Sequence, residues 1–171
     1  MEYGAKYLND IFNLAKNYQI YARIRDTAHY QMALRLRRQE RFLGIPVIIL
    51  TTIVGTAIFA SLQNQAAVIW RIATGLLSVL AATLAALQTF FNFSGEAERH
   101  ESVAVGYSQL RRQFDNFIVC HQADATTPAA AFSAWEVLLK EMDHLEQKAP
   151  RITNRVWELS KAELARVGEQ R

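Results

Sequence analysis

From Phe42 to Trp70 the chain carries no charged side chain; Arg71 follows alone, and the next charge is Glu96. This gap sets two apolar segments, Phe42 to Leu62 (FLGIPVIILTTIVGTAIFASL) and roughly Val68 to Phe91. Each comes close to the roughly 20 residues an α-helix needs to cross a hydrocarbon layer about 30 Å thick. Neither keeps the polar face that a helix on the surface of a soluble protein presents to water. A soluble bundle burying both on all sides would need more surrounding protein than 171 residues leave. The expected fold is an all-α membrane protein. It has an N-terminal amphipathic cytoplasmic helix over 1–41, a transmembrane hairpin over 42–93 with spans at about 42–62 and 68–91, and a C-terminal cytoplasmic helical region over 94–171, the two outer parts forming a bundle.

Composition agrees with a helical chain. Hydrophobic residues make up 51% of it, with seven Gly and three Pro, so the punctuation of many short strands is missing. The net charge of +3 is mild and its arginines are not interleaved with aromatic or glycine motifs, so no nucleic acid is expected as a partner. Cys120 is the single cysteine, which excludes a disulfide framework and a cysteine-based metal site; it reads as a small buried apolar residue. The opening MEYGAKYLNDIFNLAKNYQ is charged and amphipathic and does not read as a signal peptide.

Arg25, Arg35, Arg37, Arg38 and Arg41 precede the first span and Arg99, Arg111 and Arg112 follow the second, against Arg71 alone at the turn. The positive-inside rule then puts both termini in the cytoplasm. The stretch SLQNQAAV, Ser61 to Val68, becomes the outer tip, with Asn64 and Arg71 at the outer mouth of any pore and Trp70 as an interfacial anchor. Pro46, which cannot donate to the carbonyl of Phe42, is expected with Gly44 to separate the amphipathic helix from the first span.

The second span carries Thr74, Ser78, Ala81, Ala85, Gln88 and Asn92 at alternating spacings of four and three, a small or polar stripe opposite Leu76, Leu80, Leu84, Leu87 and Phe91. Such a stripe lets helices approach closely in lipid, or it lines an aqueous pore in an oligomer; the pattern alone favours packing. Thr52, Gly55 and Thr56 offer a complementary face on the first span.

Outside the spans, Tyr7, Ile11, Leu14, Tyr18, Tyr21, Ala28 and Met32 recur near a 3.5-residue period interrupted by Arg25. Val103, Tyr107, Leu110, Phe114 and Phe117 form a cleaner series on a helix leaving the second span, with a bend expected at Ser94–Gly95. After DATTP, Thr127 is the expected N-cap and Pro128 the first helical residue of a helix presenting Phe132, Trp135, Leu139, Met142 and Leu145, ending before Pro150. A last helix from about Thr153 presents Val156, Leu159 and Leu164. Tyr107, Leu110, Phe114, Phe117 and Trp135 are the expected bundle or partner interface.

Chemistry-bearing residues are sparse. Glu96 and His100 share a helix face and with Glu101 form either a structural cluster or a cytoplasmic collar responsive to pH or a ligand. They do not make the HExxH pattern of zinc hydrolases. His29 and His144 read as solvated or capping groups, and no phosphate cradle or nucleophile elbow occurs. No catalytic residue, metal or cofactor is expected.

The amphipathic Tyr/Ala-rich helix, the approach RLRRQERF, two spans with a minimal turn, the exit FFNFSGEAERHESVAVGYSQLRRQFD and the later EQKAPRIT together resemble the SLATT family, the SMODS- and SLOG-associating two-transmembrane effector domains of bacteria. The resemblance covers nearly the whole chain. It implies a homo-oligomeric pore-forming effector of a bacterial conflict or anti-phage system, seated in the inner membrane, that opens on a cytoplasmic signal from a sensor protein or a nucleotide and depolarises the cell. It implies no catalytic residues. The alternative from the residues themselves is a non-conducting membrane anchor whose cytoplasmic helices dock a soluble partner.

Overall fold

The computed structural model describes the backbone of residues 2–63, 68–123 and 127–169. Over these the chain holds five helices and no strand: α1 (Glu2–Gln63), α2 (Val68–Phe91), α3 (Phe93–Ala123), α4 (Pro128–Lys148) and α5 (Asn154–Glu169). The stretch expected to form the outer tip, including Asn64, lies largely outside the described residues. Two compact units result. One joins Met1–Ala33 to Glu98–Arg171, and the other is Leu34–Ala97.

The first unit is a bundle around aromatic side chains. Tyr107, Leu110, Phe114 and Phe117 of α3 are buried with Trp135, Leu138 and Met142 of α4 and Ile11, Ala15 and Ala22 of α1. Tyr18 meets Trp135 edge-on at 5.4 Å between ring centroids and Phe114 at 6.1 Å, while Phe12 reaches Phe117 at 6.0 Å. These separations lie in the range where ring pairs add attraction beyond area burial. Helix α5 lies on α1 through Trp157 against Tyr21 at 6.0 Å and a hydrogen bond from Gln31 to Glu163. Thr127 caps α4 as its sequence predicts: its hydroxyl accepts from the Ala130 amide, and Pro128 opens the helix.

The second unit is the hairpin. Its two helices are long and apolar enough to cross a membrane, and most of their side chains are exposed. Phe42 is 79% exposed, Leu76 68% and Phe90 81%, whereas Ala81 is the one residue of α2 that is buried. Such a surface is stable only where the surrounding solvent is itself apolar. The chain is an all-α, two-span membrane protein.

Several local expectations are corrected. The expected separation at Gly44–Pro46 is absent, and α1 runs unbroken through Pro46. One missing donor does not end a helix whose neighbouring peptide groups would find no other partner in hydrocarbon. The bend after the second span falls at Asn92 rather than Ser94–Gly95. Asn92 has φ of 42°, a left-handed conformation that asparagine tolerates. Its side-chain oxygen accepts from the Gly95 amide, and a methyl group on Gly95 would stand 2.5 Å from the Asn92 amide nitrogen. Glycine is there to make room for that fold-back.

In α1 the buried face is Ile11, Ala15, Ala22, Ala28, His29 and Ala33, with Leu14 exposed, because a straight helix repeats at 3.6 rather than 3.5 residues. In α4 and α5, Phe132 and Leu159 are exposed while Ala131 and Ser160 take the core positions. Cys120, expected to be buried, is exposed. It lies beyond Phe117, the last residue that α3 contributes to the buried core, in a stretch where Val119 is exposed as well. In the native protein it should therefore react with a maleimide at a rate close to that of the denatured chain; strong protection would contradict this packing. Phe114→Ala should lower bundle stability by about 3–5 kcal/mol, read as an earlier loss of Trp135 fluorescence change on denaturant titration.

Candidate functional site

The hairpin face that could carry function is the small and polar stripe of α2. Ala81 is buried, Thr74, Ser78, Ala85 and Gln88 are half-buried, and Asn92 is exposed as the hinge residue. Of the leucines opposite, Leu76, Leu80 and Leu87 are exposed and Leu84 is half-buried. The stripe is thus the better covered side of α2 in a single chain. At one contact a methyl on Gly44 of α1 would lie 3.3 Å from the Gln88 amide nitrogen, so glycine permits the Gln88 side chain to lie across α1.

Seven hydroxyls of the two hairpin helices, those of Thr51, Thr52, Thr56, Thr74, Ser78, Thr83 and Thr89, are satisfied inside their own helices. Thr74 donates to the Trp70 carbonyl, Ser78 to Thr74, Thr52 to Ile48 and Thr56 to Thr52. This back-bonding removes the donor from the hydrocarbon while leaving oxygen lone pairs available. Such a face suits close packing in lipid and still offers acceptors to water. Arg71, assigned to the outer mouth, is exposed.

The three collar residues fall in both units: Glu96, half-buried, belongs to the hairpin, while His100, buried, and half-buried Glu101 belong to the bundle. Tyr107, Leu110, Phe114, Phe117 and Trp135 are all buried in the bundle core. They hold the chain's own helices together, and no partner reaches them unless the bundle opens.

His29, expected to be a solvated or capping group, is fully buried. Its Nδ1 lies 2.9 Å from Nδ1 of His100, itself 3% exposed. One ring donates the shared proton and the other accepts it. Both charged at once would set two N–H groups facing each other. Tyr107 stacks on His29 at 5.7 Å between centroids. His29 Nε2 and the Tyr107 hydroxyl are buried without a protein partner. Beside them Tyr21 donates to Glu146 at 2.8 Å and accepts from Arg25, whose guanidinium also lies 5.3 Å from the Trp157 ring centre.

Burial, then His100 and Arg25, hold His29 down to a pKa of about 3. Burial pushes the Tyr107 phenol up to about 12. Burial also raises Asp26, against the pull of Arg111, Arg112 and Arg23.

These shifts fix a pH dependence. Unfolded, His29 would titrate near 6.5; folded, it stays neutral to about 3. The unfolded state therefore binds more protons between those limits, and the His29 contribution is lost as pH falls below about 6.5. Asp26, raised, acts in the opposite sense nearer the carboxylate range. Between pH 7 and 5 bundle stability should fall with a slope of at most about 1.4 kcal/mol per pH unit. In His29→Asn the slope should flatten. An identical slope in wild type and variant would count against the assignment.

The sequence profile described as SMODS and SLOG-associating 2TM effector domain family 4 matches residues 18–170. No curated protein and no solved structure matches the chain. The match takes in the whole hairpin and nearly all of the bundle, so the chain belongs to this SLATT family of two-transmembrane effector domains.

Proposed function

We propose that this protein is an oligomeric pore-forming effector of a bacterial conflict system. It lies in the inner membrane with both termini in the cytoplasm and is opened by a cytoplasmic signal, a sensor protein or a nucleotide, to depolarise the cell. The observation that carries the reading is the hairpin: two helices cannot enclose a conduit, and theirs leave most of α2 exposed, with Ala81 its one buried residue, so that lipid or neighbouring copies have to cover it. Family membership supports the effector role.

In the resting state the stripe of Thr74, Ser78, Ala81, Ala85 and Gln88 packs against α1, and opening turns it toward the water. The signal has to bind the open and closed arrangements with different affinity, or it shifts nothing. The anchor-and-adaptor alternative loses its best docking residues, because Tyr107, Phe114 and Trp135 are buried.

Purified protein in liposomes should release ions or a small dye. Ala81→Leu overfills the closed contact at a cost of about 1–3 kcal/mol, and should raise release on the order of tenfold. Replacing the hairpin with an unrelated two-span anchor should abolish cellular toxicity. Toxicity that survives the replacement, with liposomes intact under every trigger, would favour the adaptor.

A further inference from the structure

On α1 the residues Arg35, Arg38, Phe42, Ile45 and Ile49 follow one another at steps of three, four, three and four, and all five are exposed. That spacing puts them on one side of the helix. The face changes within two turns from guanidinium groups to large apolar side chains. Arg37 and Arg41, four residues apart and both exposed, flank it. In 34–44 these four arginines stand against a single carboxylate, Glu40, which is half-buried in a groove with Gln88, Thr89 and Asn92. The apolar end continues into the lipid-facing surface of the span, where Ile48 is also exposed.

We propose that this band is a binding surface for an anionic phospholipid. The arginines hold the phosphate of a headgroup that carries no compensating amine, and Phe42 and Ile45 pack along its acyl chain. A guanidinium fork matches phosphate oxygens two at a time, which a point charge does not. A juxtamembrane cluster of this size adds its attractions to an acidic leaflet. The apolar half of the same face selects a lipid over a free phosphate, since a soluble anion would leave Phe42 and Ile45 without a role. The inference does not depend on whether the hairpin conducts.

The test uses the full chain in a neutral detergent, with phosphatidylglycerol and phosphatidylcholine titrated separately and bound lipid counted by native mass spectrometry. Wild type should take up phosphatidylglycerol at least tenfold more tightly. The variant R35Q/R38Q/R41Q should lose that preference, and R151Q/R155Q/K161Q, which removes as much charge from exposed positions of the bundle unit, should keep it. Helicity by circular dichroism is compared for each. R35K/R38K/R41K, which keeps the charge but removes the fork, should retain a preference for the anionic lipid that is weaker than that of wild type. Equal uptake of both lipids by wild type, equal loss in the two charge-removal variants, or displacement of lipid by inorganic phosphate at matched concentration would each overturn the proposal.

Discussion

A peptide backbone in hydrocarbon has to satisfy its own hydrogen bonds, and the hairpin is arranged around that requirement. Each N–H or C=O left unpaired there costs several kcal/mol (roughly the price of transferring an amide out of water). The helix therefore runs through Pro46, and the threonine hydroxyls turn back on carbonyls a turn earlier. Among the described residues of the hairpin, helical geometry is left at Asn92, just past the end of α2, where a side-chain oxygen takes the Gly95 amide.

The two units are held together by different means. In the bundle, Tyr18, Phe114, Phe117 and Trp135 bury large apolar surfaces against water, and that gain is large. In the hairpin, lipid is as apolar as leucine, so sequestering a side chain from it gains little; close approach at Ala81 and Gly44 is what remains. His29, His100 and Tyr107 make a buried polar layer in the bundle, with half-buried Arg25 beside it. Its buried polar atoms without partners make it the costliest part of that core to keep closed.

Much of the architecture was legible. The missing charges pointed to two helices long and apolar enough to cross a membrane, and the series from Val103 to Phe117 named the α3 core because five large residues keep one face. Thr127 and Pro128 marked the start of α4 by local chemistry alone. The face of α1 was harder, since its core positions are alanines, which carry little hydrophobic signal, and the larger tyrosines drew the period toward 3.5. Counting at 3.6 from Ile11 through Ala15 and Ala22 arrives at His29. That count was the signal for its burial, but only the fold could bring His100 to it from 71 residues away. The stripe of α2 was visible as a pattern, while its coverage by α1 depends on Gly44 and Gln88 meeting across the hairpin.

This difference in adhesion bears on where a conformational change is least costly. Separating α3 from α4 would expose Phe114, Trp135 and Met142 to water, each a loss of roughly 1.5–3 kcal/mol. Rotating α2 against α1 exchanges one apolar contact for another, with lipid or a neighbouring helix replacing the partner, and the hydroxyls keep their bonds because these lie within each helix. Free energy delivered to the molecule is thus more readily spent on the hairpin than on the aromatic core. Within the bundle, the exception is the layer around His29, where a gained proton or a new hydrogen-bond partner acts on groups that are already poorly satisfied.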